Sequence, residues 1–252
     1  STYLNNLDEV FESELDKLKS GLFEKSGEEF NLNSPKQLGD ILFDKLKLVS
    51  KPKKTKTGQY STSEEVLSSL ANEHEIIRSI LEWRSLDKLQ NTYVRSLPNE
   101  VSSRTGRIHT KFNQTVTTTG RLSSNNPNLQ NIPIRTENGQ KIREAFIPKN
   151  QDFELLAADY SQIELRVIAS ISKDKSMIDA FVKNQDIHTI TASKIYNADP
   201  ENITREQRGN AKTVNFGIIY GVSAFGLSQQ TNLSRSESKI MIDNYFENYP
   251  GL

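Results

Sequence analysis

The most informative stretch of the sequence reads Arg208-Gly-Asn-Ala-Lys212-Thr-Val-Asn-Phe216-Gly-Ile-Ile-Tyr220-Gly221. Two basic and two aromatic side chains recur in it at every fourth position: Arg208, Lys212, Phe216 and Tyr220. Residues at i and i+4 lie on the same face of an α-helix. The spacing therefore predicts one continuous row of side chains, which we call the 208–220 stripe.

The backbone conformation of this stretch has two interpretations. Residues 213–220 are rich in β-branched and aromatic side chains, which also suit a buried strand. Thr204 and Gln207 form a capping box ahead of the stripe, and the spacing fits a period of 3.6 better than 2, so we expect a helix. Gly217 and Gly221 weaken such a helix by up to about 1 kcal/mol each, which indicates that backbone is closely approached there or that the element moves.

The order of groups along the stripe suits a nucleoside triphosphate. Arg and Lys side chains match phosphate oxygens in charge and in donor geometry. Aromatic rings match a sugar and a flat base by stacking and shape. The pattern has an ordinary explanation as well, because many helices carry a solvated basic face and a buried aromatic residue. The stripe alone does not separate the two interpretations.

A carboxylate precedes the stripe in a second notable segment. Residues 153–158 (FELLAA) predict a short apolar strand that ends at Asp159. An Asp at the end of a buried strand can hold a divalent metal ion, but it is also a common cap or turn residue. Ser161 and Glu164 fit a capping box, which would give Glu164 a structural role at a helix start.

The remaining sequence predicts mostly helices. Residues 1–105 show helical periodicity from Leu4 onward, with helix starts near Ser34 and Ser61. The basic loop at 51–58 is either a solvated linker or a phosphate contact.

A Thr-rich strand is expected at 109–121, and a short one ending at Phe146-Ile-Pro. The Asn-rich loop at 122–133 suits either turns or contacts to bases and sugars. Helices are expected at 161–171, 177–182 and 188–196, and a final one around Ile240 to Phe246.

Composition excludes several classes of protein. The 32 basic and 32 acidic residues cancel, so bulk charge does not mark the chain as a nucleic-acid binder. There is no cysteine, and the three histidines are scattered, so neither disulfides nor a zinc site is expected. No apolar run approaches the about 20 residues of a membrane span, and no signal peptide opens the chain. We expect a cytoplasmic protein, and both ends of the sequence look cut from a longer chain.

Several motifs in a fixed order resemble family A DNA polymerases. They are Thr119-Gly-Arg121-Leu-Ser-Ser, Pro127-Asn-Leu-Gln-Asn-Ile-Pro133, Asp159-Tyr-Ser-Gln-Ile-Glu-Leu-Arg166, Asp186-Ile-His188-Thr and the 208–220 stripe. The resemblance implies an α+β, right-hand polymerase architecture, with a mostly helical thumb and fingers around a partial antiparallel β palm. Residues 1–105 would be the thumb with its basic loop, 106–185 a partial palm carrying the first catalytic Asp, and 186–252 partial fingers carrying the nucleotide-binding helix.

The resemblance also implies roles for individual residues. Asp159 would be a catalytic aspartate that holds two Mg²⁺ ions with the Tyr160 carbonyl, and Lys212 a further catalytic residue. The triphosphate would be held by His188, Arg208 and Lys212. Gln162 and Glu164 would line the sugar pocket, with Glu164 excluding the 2′-hydroxyl. Phe216 would lie against the sugar and Tyr220 near the templating base. Primer–template DNA would be contacted by Arg121, Asn128, Gln130 and Arg135.

The activity implied is template-directed DNA synthesis from deoxynucleoside triphosphates, by two-metal phosphoryl transfer from a monomer. The family carries a second metal-binding aspartate in a His-Asp-Glu segment, which these 252 residues lack. We therefore expect the chain alone to be close to inactive. Two alternatives stay open. A single-subunit RNA polymerase uses a related aspartate and helix, although Glu164 and Phe216 argue against it. A non-catalytic DNA-binding scaffold could keep the same fold.

Overall fold

The computed structural model of the protein describes residues 2–134 and 136–252. The chain divides into two compact units, Ser1–Leu155 and Leu156–Leu252. Each unit buries its own cluster of apolar side chains. Among the described residues, no helix is both long and apolar enough to cross a lipid bilayer.

The first unit is built mainly from helices. They are α1 (Thr2–Ser26), α2 (Pro35–Gly39), α3 (Glu64–Leu70), α4 (Glu75–Leu89) and α5 (Glu137–Glu144). π-helical turns follow α2 at Asp40–Lys45 and α4 at Gln90–Val94, and a 3₁₀ turn spans Leu97–Glu100. Phe11 and Leu22 of α1 pack with Ile77 and Ile80 of α4 in the core. The leucine periodicity that predicts α1 is confirmed.

Helix starts in this unit follow local capping chemistry. Ser34 caps α2 by accepting a hydrogen bond from the Gln37 N–H at 3.4 Å, with Pro35 at the first helical position, so the helix start predicted near Ser34 is confirmed. The cap predicted at Ser61 is wrong by two residues. Ser63 caps α3 instead, because its side chain accepts from the Val66 N–H.

A small antiparallel hairpin completes the first unit. Strand β1 (Lys111–Asn113) pairs with β2 (Ser123–Asn125), with Phe112 opposite Ser124. The strand predicted over 109–121 is therefore formed over three residues, and the segment that follows is turn and irregular backbone. The strand expected at Phe146-Ile-Pro is not formed, and the preceding helix α5 had no counterpart among the predicted elements.

The second unit is helical in its described residues. Its helices are α6 (Ile163–Ser172), α7 (Lys175–Val182), α8 (Ile187–Tyr196), α9 (Arg205–Ile219), α10 (Ala224–Ser228) and α11 (Arg235–Asn248). A 3₁₀ turn at Pro200–Asn202 precedes α9. Leu165, Met177 and Val214 pack together in the core with Tyr245 of α11. The predicted helices at 161–171, 177–182 and 188–196 are confirmed within two residues. The final helix expected around Ile240 to Phe246 is also present, and it begins five residues earlier, at Arg235.

The strand predicted at residues 153–158 is wrong. The segment has no helix or strand, and all of residues 151–160 are exposed, with Leu156 at 92%. A strand needs a neighbour to satisfy its backbone hydrogen bonds. In the described part of the chain, the two-stranded hairpin of the first unit is the one sheet present, and this segment is not in it.

Candidate functional site

Helix α9 carries the 208–220 stripe and is fixed at both ends by its own sequence. The predicted capping box is present: Thr204 Oγ1 accepts from the Gln207 N–H at 3.1 Å, and Gln207 Oε1 accepts from the Thr204 N–H at 3.0 Å. At the other end the Val222 N–H bonds to the Gly217 carbonyl at 2.8 Å. Gly221 takes a φ of +68° there, so the helix ends in a Schellman motif.

Three of the four stripe side chains line one cleft. The cleft has a volume of about 430 Å³. It is lined by Lys212, Thr213, Phe216, Gly217, Tyr220, Val222 and Gln230. Lys212 and Tyr220 are exposed and Phe216 is half-buried. The cleft therefore has a cation at one end and an aromatic ring at the other, in the order that the sequence predicts.

Arg208, the first residue of the stripe, is held by Asp186. The Arg208 Nε donates to Asp186 Oδ2 at 2.6 Å. Asp186 also caps α8, because its Oδ1 accepts from the His188 N–H at 2.9 Å. Burial by itself favours the neutral acid, but the bond from Arg208 and those at the helix start outweigh it and lower the pKa of Asp186. The guanidinium keeps its terminal NH₂ groups for another acceptor, since Arg has five donors.

His188 lies beside Phe216 and is buried. The two ring centroids are 5.8 Å apart, and Asn215 Nδ2 is 2.9 Å from His188 Nδ1. Burial lowers the pKa of His188 to about 4; Asp186 acts in the opposite direction, while Arg208 and Lys212 lower it further. The imidazole is consequently neutral near neutral pH.

Glu164 meets the far end of the stripe. The Tyr220 hydroxyl donates to Glu164 Oε1 at 3.0 Å. The capping-box interpretation of Glu164 is wrong, because Gln162 is the N-cap of α6, has no side-chain cap bond and takes a left-handed φ of +53°. Glu164 therefore lies in the first turn of α6 with its carboxylate directed to Tyr220.

Asp159 and Tyr160 lie in the exposed segment that precedes α6. A carboxylate and a backbone carbonyl are suitable Mg²⁺ donors. However, residues 2–134 and 136–252 contain no group of three His, Cys, Asp or Glu side chains that could hold a metal ion. One carboxylate does not supply the set that clamps two ions, so the described residues do not by themselves fit a two-ion site.

The residues predicted to contact DNA belong to the first unit. All three described residues of this set are exposed. Arg121 lies between β1 and β2, and Asn128 and Gln130 follow β2. Asn128 Oδ1 accepts from Ser124 Oγ at 2.9 Å and from the Gln130 N–H at 3.0 Å, so this amide closes a local turn. Arg135 lies outside the described residues. The DNA contacts of these residues stay predictions.

Two parts of the site were not assigned by sequence reasoning. Asp186 precedes a helix start, and this N-cap position is a signal that could have placed it at the start of α8. Asn215 gives no such signal. It lies on the buried side of α9, and its partner His188 is 27 residues away in sequence.

An α+β chain whose helix lines a cleft with a lysine and aromatic rings has the features expected of a nucleotide polymerase module. The chain belongs to DNA polymerase family A, whose family model it matches over residues 1–252. The predicted family and the α+β fold class are thereby confirmed.

Curated relatives and a solved structure agree with this assignment. DNA polymerase I of Geobacillus stearothermophilus is 53% identical over 95% of this chain and 27% of the relative. DNA polymerase I of Bacillus subtilis is 49% identical over 99% of this chain and 28% of the relative. The POL domain of Pol1 from M. smegmatis, in complex with DNA primer-template and dNTP, is 41% identical with a TM-score of 0.86 over 99% of this chain and 44% of that chain. The chain thus spans less than a third of the length of these curated relatives.

Proposed function

We propose that the chain is the nucleotide-binding part of a DNA polymerase that adds deoxynucleotides to a primer 3′ end on a template. The observation that carries the proposal is the cleft along α9, where Lys212, Phe216 and Tyr220 follow one another. The family match and the relatives named DNA polymerase I support it. They favour this function over an RNA polymerase or a non-catalytic scaffold.

In this proposal the residues of α9 bind and orient the triphosphate. Lys212 and the terminal nitrogens of Arg208 donate to phosphate oxygens and stabilise negative charge that grows on them during transfer. Asp186 holds the guanidinium through Nε, so its planar donors keep one direction. Phe216 packs against the sugar, Tyr220 lies near the templating base, and Gln162 and Glu164 border the 2′ position. Arg121, Asn128, Gln130 and Arg135 contact the primer–template.

We also propose which part of the whole polymerase each segment of the chain forms. Residues 1–105 would be thumb, 106–185 partial palm and 186–252 partial fingers of a cytoplasmic monomer. We expect phosphoryl transfer by the whole polymerase to depend on a divalent metal ion, because such an ion polarises phosphoryl oxygens. Asp159 and the Tyr160 carbonyl would supply part of a Mg²⁺ ligand set. In the whole polymerase, Asp159→Ala should then abolish turnover, and robust primer extension by that variant would remove Asp159 from the metal site.

Nucleotide binding by the chain tests the proposal directly. Isothermal titration with a dNTP should detect binding, and Lys212→Ala should weaken it about ten- to a hundredfold, because a hydrogen bond to a charged group contributes about 1.5–3 kcal/mol. Lys239→Ala is the matched control, since Lys239 is an exposed lysine of α11 that does not line the cleft. Equal affinities in the two variants would contradict the proposed site.

A separate measurement checks the expectation that the chain alone is close to inactive. Primer extension with Mg²⁺ and the four dNTPs should proceed far more slowly with the 252-residue chain than with a complete family member. Extension at a comparable rate would show that the expectation is wrong. Incorporation of dNTPs against rNTPs by the complete polymerase separates the DNA polymerase from the RNA polymerase alternative.

A further inference from the structure

A continuous row of buried hydrogen bonds in the second unit runs from Tyr249, directly after α11, through Thr191 of α8 and Asn215 of α9 to His188. The Tyr249 hydroxyl is 3.0 Å from Thr191 Oγ1, Thr191 Oγ1 is 3.2 Å from Asn215 Oδ1, and Asn215 Nδ2 is 2.9 Å from His188 Nδ1. Thr191, Asn215 and Tyr249 are fully buried, and His188 is 3% exposed. Buried polar groups of this kind are costly unless every donor finds an acceptor, so their directions are tightly constrained.

The direction of each bond follows from donor and acceptor chemistry. The Thr191 hydroxyl donates to the Asn215 carbonyl oxygen, so its lone pair accepts from the Tyr249 hydroxyl. With its oxygen engaged, Asn215 turns its NH₂ group to His188. An NH₂ group donates and does not accept, so Nδ1 of His188 must be the unprotonated nitrogen.

We infer that Asn215, with Thr191 and Tyr249 behind it, fixes His188 as the neutral tautomer that carries its proton on Nε2, and so directs an N–H donor to a phosphate oxygen of the nucleotide. Asn215, Thr191 and Tyr249 are positioning residues in this arrangement, since they act through His188. The inference rests on the proposed function, because it takes the ligand of the α9 cleft to be a nucleoside triphosphate.

The surroundings of the imidazole indicate the chemistry of its partner. His188 lies against Phe216, which lines the cleft, and the positive charges of Arg208 and Lys212 both act on the ring. The negative charge of Asp186 acts on the ring in the opposite direction, but this carboxylate is already paired with Arg208, so the local charge favours an anionic ligand group. Burial disfavours the imidazolium form, so the ring offers a hydrogen bond of fixed direction without adding a third charge. Within the described ranges, no protein group is hydrogen-bonded to Nε2.

The tautomer can be measured without any ligand. The chain has three histidines, so long-range ¹H–¹⁵N correlation spectra of the ¹⁵N-histidine-labelled protein are simple to assign with single His→Gln variants. In the wild-type chain near neutral pH, the His188 signals should show a protonated Nε2 and an unprotonated Nδ1. Asn215→Leu and Thr191→Val should each convert His188 to a mixture of tautomers, whereas Thr191→Ser, which keeps the hydroxyl, should preserve the Nε2–H form.

Titration of the same proteins with dTTP connects the tautomer to binding. Thr191→Val should weaken dTTP binding about three- to tenfold, the effect expected from one lost hydrogen bond, and Thr191→Ser should restore it. In a His188→Phe background, Thr191→Val should have no further effect, because both changes remove the same donor. Circular dichroism spectra confirm that each variant compared is folded.

The outcomes separate this inference from the proposed function. If the wild-type chain binds no dTTP, the proposed function fails, whatever the tautomer of His188. If it binds dTTP while His188 carries its proton on Nδ1, or while the tautomer and the affinity are insensitive to Asn215→Leu and Thr191→Val, this inference alone is overturned.

Discussion

Individual side chains around α9 are held by bonds that determine what each can offer a ligand. Arg208 donates Nε to Asp186 and keeps its terminal nitrogens, while the Tyr220 hydroxyl donates to Glu164. Ion pairs on a protein surface contribute little stability, and the Arg208–Asp186 pair is about two-fifths exposed. Its main effect is accordingly on the direction of the guanidinium.

Lowering the pH should reduce the free energy of unfolding of the second unit, because His188 is buried in its neutral form. Its pKa is lowered from 6.5 to about 4. The unfolded chain therefore takes up this proton at a higher pH than the folded chain, so the contribution of His188 is fully present above about pH 6.5 and is lost as the pH falls toward about 4. Between those limits the free energy of unfolding should fall by up to about 3 kcal/mol more in the wild type than in His188→Gln.

Urea unfolding of both proteins, followed over that pH range, makes the measurement. His109→Gln is the matched control, because His109 is exposed. It should keep the pH dependence of the wild type. A His188→Gln protein whose stability changes with pH as the wild type's does would contradict the buried, neutral state of His188.

Sugar selection is the residue-scale prediction for Glu164. If its carboxylate borders the 2′ position, Glu164→Ala in the whole polymerase should raise the use of ribonucleotides relative to deoxynucleotides by about tenfold or more, because a steric barrier is removed. Tyr220→Phe removes the hydroxyl that holds Glu164 and should shift selection less, in the same direction. The ratio of kcat/KM for rNTP and dNTP is the readout, and an unchanged ratio in Glu164→Ala would exclude Glu164 as the sugar gate.

At the scale of elements, the close packing under Gly217 gives α9 its C-terminal shape. A Cβ added at Gly217 would lie 2.6 Å from Cγ1 of Val222. Alanine is normally the better helix residue by about 1 kcal/mol, but a contact this short forces Val222 to move. The close approach that the sequence suggested at Gly217 is therefore present in the Schellman motif that ends the helix.

Gly217→Ala should destabilise the chain by about 1–3 kcal/mol, because overpacking outweighs the gain in helix propensity. Val222→Ala added to it should recover part of the loss. Gly209→Ala is a matched control on the same helix, since a Cβ there meets no atom within 4 Å. It should be neutral or stabilising by up to about 1 kcal/mol. Thermal unfolding measures all four proteins, and a stabilised Gly217→Ala would refute the packing argument.

The elements that the sequence predicted well are those whose cause is local. Capping at Thr204 and the four-residue spacing lie within one helix, and α9 forms as expected. The strand at residues 153–158 failed because pairing depends on a distant neighbour that no local pattern reveals. The same limit applies to the candidate site. The stripe could be predicted, whereas the contacts of Arg208 with Asp186 and of Asn215 with His188 join residues 22 and 27 apart.

At the scale of the whole molecule, the chain consists of two units that each bury an apolar cluster, and residues 151–160 join them as exposed backbone without helix or strand. Exposed segments of this kind are preferred sites of proteolysis. Several of their side chains suit chymotrypsin: Phe153, Leu155, Leu156 and Tyr160, which are between 54% and 92% exposed.

Limited chymotrypsin digestion should therefore cut first between residues 153 and 160 and leave two resistant fragments, one from each unit. Mass spectrometry of the early products identifies the cut. Phe11 and Phe181 serve as the internal comparison, because chymotrypsin also cleaves after phenylalanine but these two side chains are buried in the two cores. Cleavage at either of them should be slower than in the segment, because it requires unfolding of a unit. Early cleavage inside a unit, with residues 153–160 intact, would mean that the segment is protected, as a paired strand would be.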